Sequence, residues 1–444
     1  MRKNIFKRVK TIFILIVPII LFTACTSKAP IFNTAITDDN IKPPMINKNL
    51  KNADDLSLIL TFSGGGTRAA SLSYGVLKEL KRQNLLDEID IISSVSGGSF
   101  TSAYFGLYGE QIFVDFEEKF LKKPIQSRLI DTFINPFNWF GLSFSNRSDY
   151  VASLYEEEIF GKKTFADLRK DSPKIIINAT DISTGNAFAF THDNFRRICS
   201  DLNTYPIGRA VTASSAVPVV FSPLTLKNYS GCTPFSYQKR RSSRKLSHND
   251  IQTLKIRKYQ EKEKYPYIHL IDGGIADNLG IRSLLHIITE LDNDFMKVMK
   301  IFGIPNSKKV AIIVVNAADS LNPKIAQQNT PPDIETTMGA VSTIQLKRYN
   351  TETLDLITNN FKVWKKQVQD ERCKDKIDDC KGIDFYLIEL NFNQLSEEKA
   401  KKFVLTETSL ELPSQKVDEL IEAGEILLRN SKEFNKLLND LKKQ

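Results

Sequence analysis

Leu56-Ser57-Leu58-Ile59-Leu60-Thr61-Phe62-Ser63-Gly64-Gly65-Gly66-Thr67-Arg68 is the stretch on which the fold turns. Its first seven residues are a mostly apolar run, the pattern of a strand buried on both faces. Three glycines break the run. From Thr67 to about Gln83, Ala70, Tyr74, Leu77 and Leu80 then recur at helical spacing. Strand, glycine turn and helix together make the opening unit of a sheet covered by helices.

The same unit repeats outward. Ile89 to Val95 reads as a second buried strand, Ser96-Gly97-Gly98 as its turn, and Ser99 to Tyr108 as the next helix. Lys174–Thr180 and Ala187–Thr191 read as further strands, Ile207–Ala216 as a helix of small residues, and Tyr267–Ile271 as a strand running into Asp272-Gly273-Gly274. Val310–Asn316 and Phe385–Leu390 complete the strands, and long helices are expected over Ile334–Val368 and Gln415–Leu441. Residues 110–170 are aromatic-rich, including Phe113, Phe116, Phe120, Phe133, Phe137, Trp139, Phe140 and Phe144. Two readings fit them equally, an acyl-binding insertion or ordinary core packing.

Three motifs carry chemistry. Ser96 sits where a strand turns tightly into a helix, a geometry that needs small neighbours and pushes the hydroxyl out above the sheet. Gly97 and Gly98 follow it, while Ser94 stands where G-x-S-x-G has its first glycine. The helix start adds partial positive charge beside a developing alkoxide. Gly64, Gly65 and Gly66 let backbone N–H groups crowd round an anion, making an oxyanion-hole candidate, with Arg68 fixing the loop or adding charge. Neither G-x-x-x-x-G-K-[ST] nor the dinucleotide fingerprint is present, which argues against a phosphate loop. Asp272, ending a strand before two glycines, is the candidate base. An order of Ser96, Asp272 and His286 would satisfy an α/β-hydrolase triad on paper, but Ser283-Leu284-Leu285-His286-Ile287-Ile288 reads as a packed helix with a structural histidine.

In these blocks the chain resembles the patatin-like phospholipase family, whose catalytic core is shared with the cytosolic phospholipase A2 group. The resemblance spans roughly Leu56 to Ile281 through Ser63–Arg68, Ser94–Ser99, Ala179–Gly185 with Phe190, Ala213–Pro223 and Asp272–Gly280. It implies a three-layer α/β/α sandwich around a central mixed, mostly parallel sheet. It also implies a Ser96 nucleophile and an Asp272 base without histidine, an oxyanion hole on Gly64, Gly65 and Gly66, and no metal or cofactor. The implied activity is lipid acyl hydrolysis of the phospholipase A or lysophospholipase type, with membrane lipids as substrates. The alternatives are a lipid transacylase using the same dyad and a non-catalytic lipid-binding envelope lipoprotein. Ser94 and a long basic insertion after Pro234 depart from the family pattern.

The amino terminus addresses the protein. Arg2, Lys3, Lys7, Arg8 and Lys10 precede an apolar stretch from Thr11 to Phe22, which is shorter than the ~20 residues of a membrane span. Leu21-Phe22-Thr23-Ala24-Cys25 resembles a bacterial lipobox, so residues 1–25 are expected to be a lipoprotein signal with Cys25 lipidated. The expected address is the bacterial cell envelope. Thr26, in place of Asp, favours the outer membrane where the host has two. Residues 26–52 read as a tether and 53–444 as the hydrolase domain, with a basic insertion at 238–264 and a helical carboxyl-terminal part.

The net charge of +9 falls to +4 without the five basic signal residues. Ten Lys/Arg against three acids in 238–264 contribute +7, leaving −3 elsewhere. The basicity is therefore local, suited to anionic headgroups or to a solvated loop, and is not a nucleic-acid footprint. Beyond Cys25, the four remaining cysteines permit disulfides in an exported chain, Cys199–Cys232 and Cys373–Cys380 being the favoured pairs.

Overall fold

A computed structural model describes residues 28–37, 56–134, 147–218, 220–233, 258–291, 293–304, 306–318, 324–327, 329–374 and 382–443. Eight strands form the central sheet: β1 (Leu56–Phe62), β2 (Ile89–Val95), β3 (Lys174–Asp181), β4 (Asn186–Ala189), β5 (Leu224–Lys227), β6 (Tyr267–Ile271), β7 (Lys309–Asn316) and β8 (Asp384–Asn391). Their order is β8-β7-β1-β2-β3-β6-β5, with β4 also paired to β3. The five strands from β8 to β3 run parallel, and β4, β5 and β6 pair antiparallel. The sheet is mixed and mostly parallel, as expected.

Helices cover both faces. On one side lie α1 (Gly66–Arg82) and α2 (Gly97–Tyr108), with α3 (Ile125–Ile134), α4 (Arg147–Glu158) and α5 (Ile207–Ser214) beside them. The short α6 (Gly274–Asp277) leads to α7 (Arg282–Glu290), α8 (Phe295–Ile301) and α9 (Ile334–Arg372) on the other side, and α10 (Ser414–Asn430) and α11 (Lys432–Lys442) return to the first. β7 shows the principle, because its period of two must serve two cores. Ala311, Ile313 and Val315 enter the α1–α2–α10 core, while Val310, Ile312 and Val314 enter the α7–α8–α9 core. This is the three-layer sandwich.

α1 and α10 cross where both carry glycine. A methyl on Gly75 would stand 2.1 Å from Ile421 O, and one on Gly424 2.4 Å from Leu72 O, so only bare backbone fits the crossing. Glu79 of α1, fully buried, accepts hydrogen bonds from Arg82, Gln83 and Arg429. Burial works to raise its pKa, but these hydrogen bonds and the arginine charges outweigh it and hold the carboxyl below its ordinary value.

The structure departs from the sequence reading in two places and decides part of a third. Part of the expected tether is folded onto the domain: Thr34–Ala35 pairs with Ser200–Asp201, and Asn33 bonds both the N–H and the carbonyl of Lys227. The expected helix over 415–441 is two helices, because the Ser431 hydroxyl caps α11 by accepting from Phe434 N–H. Phe116 and Phe120 pack in the core, Phe120 stacking at 4.1 Å on Phe100, which favours core packing for that part of the aromatic stretch. Phe137, Trp139, Phe140 and Phe144 lie outside the described residues. Among the described residues, no helix is long and apolar enough to cross a membrane.

Candidate active site

The site lies at the carboxyl ends of the parallel strands, where loops converge and ligands enter open α/β sheets. Phe62 and Ser94 are register partners, so the glycine loop after β1 and the serine turn after β2 stand side by side. Ser96 links β2 to α2 with φ 49° and ψ −121°, a conformation L-residues avoid and functional sites retain. The turn closes because a hydroxyl serves its backbone: Ser96 N–H donates to Ser214 Oγ at 2.8 Å, and that hydroxyl donates to Asn178 O at 2.6 Å. Ser94 needs no glycine substitute at its position, since it lies within 2.6 Å of Ser102 Oγ, tying β2 to α2.

Asp272 reaches the serine from β6. Its exit loop hangs on the end of α5, with Asp272 N–H bonded to Ala216 O and Gly273 N–H to Ser214 O, each at 2.9 Å. Thr180 Oγ1 donates to Asp272 O at 2.7 Å. The carboxylate accepts from Gly274 N–H at 2.8 Å, and the Ser96 side chain stands beside it. Dense surrounding protein pushes the carboxyl up to about 6, and the adjacent Ser96 side chain and Gly274 N–H hold it from rising further. A carboxylate titrating there is placed for proton transfer near neutrality.

The glycine loop needs its glycines. Gly65 and Gly66 have φ 136° and 60°, and a methyl on Gly97 would stand 2.0 Å from Gly66 O. Elbow and loop therefore touch backbone to backbone. The loop's donors are not equivalent. Gly64 donates its N–H to Asn278 O at 3.1 Å and Thr67 to Ser409 O at 2.8 Å, so neither is available to an oxyanion. Among the described residues, the N–H groups of Gly65 and Gly66 have no acceptor. Of the three expected donors, Gly64 is thus engaged within the protein, and Gly65 and Gly66 are left to an anion. Arg68, 1% exposed, fixes the loop: it donates to Ala317 O at 2.9 Å, to Thr406 O, and to Thr408 Oγ1 at 3.2 Å.

The remaining candidates fall elsewhere. His286 pairs with Glu290 on its own helix at 3.0 Å, His192 meets Asn203, and His269 meets Thr225. Cys199 and Cys232 are joined by a disulfide with Cα atoms 5.5 Å apart. Cys373 ends α9, and both Cys380 and Cys25 lie outside the described residues. So does the basic insertion up to residue 257, but its carboxyl end is packed. Tyr259 OH donates to Asp181 at 2.8 Å, and Lys262, its pKa lowered by burial to about 8, bonds Asn228 Oδ1. Among the described residues no cluster of His, Cys, Asp and Glu could hold a metal ion.

Sequence reasoning missed the residues that build this geometry. Ser214 lies in a run of small residues that signals only close packing. Asn278 and Ser409 act through backbone carbonyls, which leave no signature. The Asn278 side chain also flanks the site, its Oδ1 2.8 Å from where a methyl on Gly64 would lie.

The uncharacterized protein YqhO of Bacillus subtilis is 25% identical over 185 residues, covering 38% of this chain and 59% of that one. Human GIVD cytosolic phospholipase A2 aligns in structure over 90% of this chain and 65% of its own, at 14% identity and a TM-score of 0.46. VipD from Legionella pneumophila aligns over 90% and 71%, at 12% and a TM-score of 0.28. This chain spans less than two thirds of the length of the first two. A family model for patatin-like phospholipase matches residues 60–285, half of the chain and all three motifs, and the chain belongs to the patatin-like phospholipase family.

Proposed function

We propose that the protein hydrolyses carboxylic esters of membrane lipids through an acyl-Ser96 intermediate, as a phospholipase A or lysophospholipase. The observation that carries this reading is Ser96 on a strained elbow beside the Asp272 carboxylate and, among the described residues, two loop N–H groups without an acceptor. Asp272 takes the serine proton as Oγ attacks the ester carbonyl. The Gly65 and Gly66 N–H groups receive the oxyanion, and the protonated Asp272 returns its proton to the leaving alcohol. Water, deprotonated by the same carboxylate, then releases the fatty acid.

The test is fatty-acid release from phospholipid and neutral-lipid vesicles across pH. Only ionised Asp272 can accept the proton, so release should rise with pH, pass half-maximum near 6 and then level off. An acid limb elsewhere would remove Asp272 as base, and folded protein inactive on every lipid would favour a binding role.

We also place the protein in the bacterial envelope, anchored through lipidated Cys25, on the strength of the lipobox-like residues 21–25. Cys25→Ser should move it from the membrane to the soluble fraction. Unchanged fractionation would discard the anchor.

A further inference from the structure

The glycine loop cannot hold its own shape. Gly65 and Gly66 pay little to leave their conformations, so whatever aims their N–H groups must lie outside the loop. The structure puts it far along the chain, beyond the part matched by the family model. Between the helix Glu397–Val404 and α10, the segment Thr406–Glu411 crosses the start of α1. Thr406 O and Thr408 Oγ1 take the Arg68 guanidinium, and Ser409 O takes Thr67 N–H. The Ser409 backbone lies directly on Gly66, where a methyl would come 2.2 Å from Ser409 O.

The segment is itself pinned at its other side. Gln126 Oε1 accepts Leu410 N–H at 2.9 Å and stands 2.8 Å from Ser409 Oγ. Glu411 accepts Ser127 N–H at 2.8 Å, in the first turn of α3, where a helix favours negative charge. A strap thus runs from α3 to the glycine loop. On its loop side it consumes Thr67 N–H and Arg68, which leaves the N–H groups of Gly65 and Gly66, among the described residues, without an acceptor.

We propose that Thr406–Glu411 is a positioning element of the oxyanion hole, with Gln126 and Glu411 as the residues that fix it. The inference rests on the hydrolase reading above, and two independent measurements separate the two. Gln126→Leu combined with Glu411→Ala removes the pins without touching Ser96, Asp272 or the loop. Hydrolysis of the soluble ester p-nitrophenyl butyrate should lose about 10- to 100-fold in kcat, the scale expected when a catalytic donor is misplaced by up to 1 Å. KM should stay within about 2-fold, since the donors act on the transition state. Glu411→Gln, which keeps an acceptor for Ser127 N–H, should retain nearly full kcat.

Amide hydrogen exchange in residues 63–70 is read in the same proteins and needs no turnover. It should accelerate in the double variant while thermal unfolding stays within a few degrees of wild type. Unchanged exchange there, or faster exchange with unchanged kcat, overturns the proposal. So does a kcat loss that Glu411→Gln shares with the double variant. A wild type inactive on this ester and on lipids defeats the hydrolase reading and the strap's catalytic role with it, while exchange still reports whether strap and loop are coupled.

Discussion

Ser96→Ala should abolish fatty-acid release, by about 10⁴-fold or more, with the fold intact. The methyl replaces the hydroxyl without a new contact, and the Ser96 N–H to Ser214 bond is backbone and survives. What disappears is the attacking oxygen and the hydroxyl that stands beside Asp272. The same position offers a second outcome that a surface serine would not. At φ 49° and ψ −121°, a side chain at 96 stores strain on the order of 1–3 kcal/mol, which alanine keeps and glycine relieves. Ser96→Gly should therefore be as inactive as Ser96→Ala yet unfold at a higher temperature. Calorimetry of the two inactive proteins decides the matter. Equal stabilities would mean that the elbow is not strained, and residual turnover in both would remove Ser96 as nucleophile.

Gly97→Ala should be severely damaging for a change of one methyl. Its methyl would face Gly66 O at 2.0 Å, Gly66 C at 2.7 Å and Gly66 N at 2.8 Å. All three are backbone atoms of a loop held by Asn278, Ser409 and Arg68, so no rotamer change can make room. Overpacking of this kind costs about 1–3 kcal/mol or more. Any relief separates nucleophile from oxyanion donors by something like 1 Å, worth about 100-fold in rate. Thermal unfolding and ester turnover should fall together. Gly382→Ala is the control, since among the described residues its methyl would meet nothing nearer than Gln369 Cβ at 3.9 Å and should change neither. A Gly97→Ala protein with normal turnover would show that elbow and loop do not need their close contact.

Much of this site was legible because its chemistry sits in local patterns. An apolar run into Gly64-Gly65-Gly66, another into Ser96 and a third into Asp272 each place a group at a strand end, and strand ends of one sheet gather by topology. What the patterns could not give is which donors stay free. That depends on carbonyls of Asn278 and Ser409, and any residue type supplies a carbonyl. Arg68 reads as a cation near an anion, yet its geometry is decided by Thr406 and Thr408, which no local rule connects to it. The break at Ser431 was hidden inside continuous apolar periodicity, where one hydroxyl cap outweighs the pattern. Residues 28–37 carry no alternation at all, and they are held by single polar contacts and a two-residue ladder.

That last feature bears on where the enzyme can work. A free chain from residue 26 to 52 would be a leash of about 90 Å at full stretch, long enough to search a wide volume. With Asn33 fastened to Lys227, the slack between Cys25 and the globule shrinks to eight residues, or about 27 Å at most. An anchor at Cys25 would then hold the domain within that reach of the leaflet that carries it. With Cys25 lipidated, substrate supply would be two-dimensional: lipids diffusing laterally past a moored protein, at an effective concentration set by the surface and independent of bulk.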